Sequence, residues 1–222
     1  MARPRFVAVA GNIGAGKSSL VKWLHQTFGL QPFFEPQDDN PYLADFYRDM
    51  KRWAYSSQLF FLVQRFRMHR EMERQFLREP MAGAQGADAS RAPRGVVQDR
   101  TIFEDAEIFA AHHHEVGNID DRDWRTYSDL YRTLGDELAR PDLMIYLRCP
   151  LPALKKRIKL RGRSYEAAIP TPYLKALDRL YETWFQRYDR SPTLVLDTSE
   201  LDYVTKLFDR HALIGEIERR IA

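Results

Sequence analysis

The stretch Gly11-Asn12-Ile13-Gly14-Ala15-Gly16-Lys17-Ser18 constrains this chain more than any other, because it matches the phosphate-loop spacing G-x-x-x-x-G-K-[ST]. Its surroundings match too. Phe6-Val7-Ala8-Val9-Ala10 reads as a buried strand before it, and Ser19-Leu20-Val21-Lys22-Trp23-Leu24 opens a helix after it. Glycines at these positions let backbone N–H groups close on phosphate oxygens, and the helix N-terminus adds positive potential. Lys17 reaches the outer phosphates and Ser18 offers a hydroxyl to Mg²⁺. A glycine-rich turn without a ligand is the plain alternative, and the Lys-Ser pair in this context argues against it.

Five apolar runs read as strands: Phe6–Ala10, Gln31–Glu35, Gly95–Gln98, Leu143–Arg148 and Thr193–Leu196. Helical patterns fill the gaps, over Lys17–Phe28, a broken region from Pro41 to about Phe76, Ile102–Glu115, Trp124–Leu138, Leu151–Leu160, Pro172–Asp189 and Leu201–Arg219. Pro41 and Pro172 fall where a first helical turn tolerates proline. The alternation predicts an α/β fold with a five-stranded parallel sheet and helices on both faces. At 222 residues the chain suits one such domain, 1–222, with helical additions. The Gly- and Ala-rich stretch at about 79–94 has loop composition, and the sheet resumes after it, so it reads as an insertion. Tyr55–Met68 is apolar on more than one face; the domain core or a helix-to-helix homodimer interface would account for that equally well.

A hydrophobic fraction of 44% with 29% charged residues excludes a disordered or membrane-embedded chain. The single cysteine, Cys149, excludes an intrachain disulfide and a Cys-based metal site, and it reads as an inert buried thiol. No apolar run approaches a membrane span, and Met1 to Arg5 runs into the first strand without signal-peptide anatomy, so the expected location is cytoplasmic. A net charge of +3 is a weak signal for nucleic acid, and neither nucleic acid nor membrane is an expected partner. The basic residues concentrate from Lys155 to Arg163, which favours a focused site for phosphates over a broad basic face.

Several charged residues follow predicted strands, where open α/β sheets bind ligands. Glu35 ends the second strand and is placed to act as a general base near the transferable phosphate, or simply as a solvated carboxylate. Asp99 and Arg100 end the third: the acid can hold a metal or its water shell and the arginine can stabilise a moving phosphoryl group, the alternative being a structural ion pair. Arg157, Arg161 and Arg163 surround Gly162, as in a phosphate-gripping lid or an exposed basic helix end. His112, His113 and His114 lie on a helix that turns their rings apart, which argues against a metal site. The aromatic helix around Tyr181, Trp184, Phe185 and Tyr188 reads as core.

Together these residues resemble the deoxynucleoside kinase family, in its bacterial deoxyadenosine/deoxyguanosine kinase branch. The resemblance covers nearly the whole chain and rests on Gly11–Ser18, Glu35-Pro36 with Asn40-Pro41-Tyr42-Leu43, Gln58–Leu62 leading to Arg65-Phe66, Asp99–Asp105, and Arg161–Glu166. It implies a P-loop kinase fold with an arginine-rich lid at about 157–168, and ATP-dependent phosphorylation of a deoxynucleoside 5′-hydroxyl with Mg²⁺. By the same resemblance, Glu35 matches the general base and Arg100 the arginine that contacts that base and the reacting oxygen. Lys17 and the loop through Ser19 match the ATP-binding segment, with Arg157, Arg161 and Arg163 in the lid. Ser18 and, through water, Asp99 match the metal-binding positions. Tyr47 and Glu166 match the pair on the sugar 3′-hydroxyl, Gln58 the amide on the base edge, and Phe109 the stacking ring. Arg65 and Asp105 match the base-selecting pair; an acceptor-only carboxylate suits an exocyclic amino group, so a purine is expected. The 79–94 stretch departs from the family pattern. The rival readings are a thymidylate-kinase-like enzyme acting on a nucleoside monophosphate, and a nucleotide switch or scaffold that binds without phosphorylating; no guanine-reading N-K-x-D is present.

Overall fold

The computed structural model describes residues 5–34, 40–77, 95–199 and 207–221. In chain order its elements are β1 (Arg5–Gly11), α1 (Lys17–Phe28), β2 (Gln31–Phe33), α2 (Leu43–Arg48), α3 (Met50–Met72), β3 (Gly95–Asp99), α4 (Ile102–Glu104), α5 (Ala111–Glu115), α6 (Asp121–Gly135), β4 (Leu143–Arg148), α7 (Leu151–Arg161), α8 (Thr171–Arg187), β5 (Thr193–Asp197) and α9 (Leu207–Ile221). Wider π turns follow α3 at Glu73–Leu77 and join α4 to α5 at Asp105–Ala110, and a 3₁₀ turn at Ser164–Ala168 follows α7.

The strands pair in parallel in the order β2-β3-β1-β4-β5. Strands buried on both faces need near-continuous apolar runs, and alternate residues serve opposite layers. Phe6, Ala8 and Ala10 of β1 join Val96, Met144 and Tyr146 under a layer built from α2, α3, α6 and α8. Val7 and Val9 join Val97, Leu143, Ile145 and Leu147 under α1, α7 and α9, through Leu20, Leu24, Leu154, Leu213 and Ile217. Leu20 and Leu24 are fully buried, each contributing about 1.5–3 kcal/mol by its removal from water.

The five predicted strands and their parallel direction match those observed, except that the second, expected over Gln31–Glu35, ends at Phe33. Three helical expectations change. The proline at position 41 lies in the turn before α2, not in its first helical turn. The expected continuous helix Ile102–Glu115 is interrupted by its π turn, and the expected Trp124–Leu138 begins earlier, at Asp121. That earlier start has a visible cause: the Asp120 carboxylate accepts from Arg122 N–H and Asp123 N–H, both at 2.9 Å, as a helix N-cap. Pro172 is in the first turn of α8, as expected. The 79–94 stretch, Glu35 and Leu201 to Lys206 lie outside the described residues.

Parallel registry fixes where the site forms. Val9 is the partner of Asp99 across the parallel strands β1 and β3, so the loop after Gly11 and the Asp99-Arg100 pair leave the sheet together at the carboxyl ends of its strands.

Candidate active site

The phosphate loop is packed so closely that no side chain fits at Gly11 or Gly14. A Cβ on Gly11, at φ 149°, would meet the Leu147 carbonyl oxygen at 2.9 Å; one on Gly14, at φ 84°, would meet Ile158 Cγ1 at 2.9 Å and the Leu154 oxygen at 3.0 Å. Asn12 anchors the loop to α8, its Nδ2 donating to the Leu174 carbonyl at 3.1 Å, and its Oδ1 accepts the Ile13 N–H at 2.8 Å. Lys17 is buried, and its Nζ donates to the carbonyls of Gly11 (2.9 Å) and Asn12 (3.1 Å), which holds the ammonium at the mouth of the loop. The first turn of α1 carries no acidic residue to offset the helix dipole, and Ser18 and Ser19 are exposed there.

Ser18 Oγ donates to Asp99 Oδ2 at 2.5 Å, while Asp99 Oδ1 is buried without a hydrogen-bond partner. A hydroxyl beside a carboxylate with an unsatisfied oxygen fits Mg²⁺, which binds one or two protein oxygens and takes the rest of its octahedron from phosphates and water. Among the described residues there is no cluster of three or more His, Cys, Asp or Glu that could hold a metal by itself.

Arg100 carries φ 63°, a left-handed conformation that a non-glycine residue adopts only when its surroundings enforce it. The enforcing groups are identifiable. Its N–H donates to Val9 O at 3.0 Å, and Arg65 Nη1 donates to the carbonyls of Asp99 (3.3 Å) and Arg100 (3.1 Å). The Nε of Arg65 also pairs with the Asp105 carboxylate, with both side chains buried. The side chain of Arg100 lies over the Phe109 ring at 4.4 Å.

Beside the loop is a cavity lined by seven of the residues singled out from sequence, Ile13, Tyr47, Gln58, Arg100, Asp105, Phe109 and Glu166. The π turn brings Asp105 and Phe109 to it, from α3 comes Gln58, and Gln58 Oε1 is buried with no hydrogen-bond partner. Arg65 is not on the cavity wall; it stands behind Asp105 as its buried counter-charge. Phe46, Tyr165 and Tyr173 line the cavity too and were not singled out. Of these, Tyr173 had a faint signal, as an aromatic directly after Pro172 at the start of the helix that follows the lid. Its hydroxyl lies 3.3 Å from His113 Nε2, and His113 Nδ1 is 3.0 Å from Asn118 Nδ2. Burial pushes the His113 pKa down to about 3, with His112 adding to the effect, so this ring is neutral. His114 turns the other way, stacking on Trp124 at 4.9 Å.

The lid closes this cavity. Arg161 grips Glu166 with two hydrogen bonds, Arg163 stands 3.7 Å from the same carboxylate, and Tyr165 stacks parallel to Tyr47 with ring centres 6.4 Å apart. The remaining free space is about 30 Å³, room for roughly one water, so a larger ligand requires the stacked Tyr165 and Tyr47 rings to part. Arg157 points elsewhere: it donates to Ala15 O (2.9 Å), Cys149 Sγ (3.2 Å), Thr198 Oγ1 (3.0 Å) and Thr198 O (2.8 Å). It thus binds the phosphate loop to the ends of β4 and β5.

A 2-3-1-4-5 parallel sheet with a phosphate loop after β1, a buried acid and arginine after β3, and an arginine lid defines a P-loop kinase. Residues 7–222 match the family described as Deoxynucleoside kinase. The chain is 34% identical over 198 residues to the deoxyadenosine/deoxycytidine kinase of Bacillus subtilis (strain 168), covering 88% of this chain and 83% of that one. It is 32% identical over 224 residues to the deoxyguanosine kinase of Lactobacillus johnsonii, covering 97% and 92%. The solved deoxyadenosine kinase from M. mycoides with bound dATP superposes with a TM-score of 0.78 at 28% identity, covering 96% of this chain and 99% of that one. The chain belongs to the deoxynucleoside kinase family, and it is a phosphotransferase that uses a nucleoside triphosphate to phosphorylate a deoxynucleoside hydroxyl.

Proposed function

We propose that this enzyme transfers the γ-phosphoryl group of ATP to the 5′-hydroxyl of a purine deoxynucleoside, deoxyadenosine or deoxyguanosine. One juxtaposition carries the reading: beside the phosphate loop, a single cavity holds an amide with an unsatisfied acceptor (Gln58), a carboxylate backed by a guanidinium (Asp105) and an aromatic ring under an arginine (Phe109 under Arg100). An acceptor-only carboxylate recognises an exocyclic amino group better than a carbonyl. The relatives named above are kinases of deoxyadenosine, deoxycytidine and deoxyguanosine, all of which carry that group.

In this reading the protein does little covalent work; it positions reactants and stabilises charge. Loop N–H groups and Lys17 bind the donor phosphates, and Arg161 and Arg163 close over them. Tyr47 and Glu166 hold the 3′-hydroxyl, which selects a deoxyribose, and Phe109 stacks on the base. Glu35 takes the proton of the 5′-hydroxyl, and Arg100 stabilises the charge that develops on the transferred group. Mg²⁺, when bound by Ser18 and, through water, by Asp99, neutralises charge on the phosphates. The enzyme acts as one domain in the cytoplasm and as a homodimer. Dimerisation is supported by the half-buried apolar stripe of Leu59, Phe60, Val63 and Phe66 on α3.

The test is a panel of the four deoxynucleosides and thymidine monophosphate with ATP and Mg²⁺. Purine deoxynucleosides are expected to give the highest kcat/KM; preference for deoxycytidine would refute the purine assignment, and preference for thymidine or for the monophosphate would refute the reading as a whole. Replacing Glu35→Gln should lower kcat at least about 100-fold with little change in KM.

A further inference from the structure

Thr101-Ile102-Phe103-Glu104 has the S/T-x-x-E spacing of a capping box, and one oxygen of Glu104 serves it: Oε2 accepts the Thr101 N–H at 2.9 Å and the Thr101 hydroxyl at 3.4 Å. A cap needs no more than that. The second oxygen is committed elsewhere. Oε1 accepts the backbone N–H of Gly11 at 3.3 Å and the Tyr181 hydroxyl of α8 at 2.9 Å, and it lies 3.9 Å from Arg100 Nε.

The side chain is wholly buried, where an isolated carboxylate is among the most costly groups a protein can hold. Burial raises the pKa of Glu104, and the positive charges of Arg100 and then Lys17 oppose that rise. Every near neighbour of the two oxygens is a donor, so the arrangement suits the ionised form. The cations that offset its charge are the two that face the reacting phosphates in the reading above. Arg100 is also held from two other sides, over Phe109 and with Nη2 3.5 Å from Gly11 O.

We propose that Glu104 is a positioning residue for phosphoryl transfer: through Oε1 it ties the Arg100 guanidinium, the first glycine of the phosphate loop and Tyr181 of α8 into one register. This rests on the role given to Arg100. A fixed anion 3.9 Å from Nε draws that side of the guanidinium toward it by charge and so biases the direction of its remaining nitrogens, and a misplacement of about 1 Å in such a group can cost about 100-fold in rate.

The experiment compares Glu104→Gln, Thr101→Ala and Arg100→Lys in the full chain, measuring kcat, both KM values and Tm. Glutamine can keep the Thr101 N–H bond through its amide oxygen, but it loses the charge and turns a donor toward Gly11 or Tyr181. Expected is a fall in kcat of about 10- to 100-fold for Glu104→Gln, with KM values within about threefold. Thr101→Ala removes the other half of the cap and should lower Tm while keeping kcat within about twofold. Glu104→Gln and Arg100→Lys combined should cost less than the product of the single effects, because both disturb the same group. A Glu104→Gln kcat close to that of Thr101→Ala, or fully multiplicative losses, would overturn the proposal. Normal turnover in Arg100→Lys would refute the role of Arg100 and this proposal with it, a different result from the other two. Should Glu104→Gln fail to fold, Tyr181→Phe removes one donor from the same oxygen and leaves the cap intact; unchanged kcat in that variant also overturns the proposal.

Discussion

Arg161 and Glu166 meet edge to edge, with Nε donating to Oε2 at 2.9 Å and Nη2 to Oε1 at 2.6 Å. The carboxylate is buried and the guanidinium about one-third exposed. A bidentate pair of this kind joins the segment assigned to the donor phosphates to the residue assigned to the acceptor sugar. Arg161→Met should therefore raise KM for the deoxynucleoside as well as for ATP, each by about 10-fold, since a hydrogen bond to a charged group is worth about 1.5–3 kcal/mol. Initial rates with both substrates varied would decide this. An effect confined to ATP would mean that the pair does not couple the two sites.

Arg65 and Asp105 should separate stability from selectivity. Removing one partner of a buried pair strands the other charge and costs about 3–5 kcal/mol, so Arg65→Met and Asp105→Ala should both lower the urea midpoint strongly. Asp105→Asn keeps the volume and a hydrogen-bonding oxygen, and it should alter base preference toward thymidine, whose base has no exocyclic amino group, at a smaller stability cost. An unchanged substrate panel in Asp105→Asn would remove Asp105 from base reading.

Lys17 and Ser18 should differ in their response to Mg²⁺. Lys17→Ala removes a fixed positive charge that no ion replaces, so kcat should fall by about 100-fold or more at every Mg²⁺ concentration. Ser18→Ala removes one oxygen ligand and leaves Asp99, so its defect should shrink as Mg²⁺ is raised. Titrating Mg²⁺ at saturating ATP checks this; an Mg²⁺-independent defect in Ser18→Ala would contradict the metal assignment.

Two buried histidines make stability depend on pH. Burial holds His69 down to about 4, opposed by Glu73, and His113 down to about 3. Between those values and the ordinary histidine value near 6.5, the unfolded chain binds these protons and the folded chain does not. Both contributions are intact above about pH 6.5 and are lost as the pH falls through that window. Urea unfolding at pH 5 should give about 2 kcal/mol less stability per histidine than at pH 7.5. His113→Phe should reduce that slope, and an equal slope in the variant would show that His113 is not its source.

Some of this architecture was readable residue by residue. The runs around Val7, Val97 and Ile145 are continuous because parallel strands are covered on both faces, and that pattern needs no partner to be recognised. The glycine-lysine loop was readable for the same reason, its spacing being local. The π turn at Asp105–Ala110 had no such signal, since an extra residue in a helical turn changes neither composition nor the apolar pattern enough to notice. Thr101 and Glu104 carried a readable capping-box spacing, which says nothing of the second oxygen.

The linear order of residues determined the strands, the phosphate loop and the set of charged groups at the strand ends, because each of these rests on spacing within about twenty positions, and it determined the family through five such local motifs taken in order. Tertiary structure alone decided their division of labour. Arg157 was grouped with the phosphate-binding arginines, yet packing spends its guanidinium on Ala15, Cys149 and Thr198; Arg65 makes the expected pair with Asp105 and is further held by two backbone carbonyls that no spacing announced. The partners of a guanidinium are set by which chain ends the sheet order brings together, and a buried donor takes whatever acceptors lie within reach there, however distant they are in sequence.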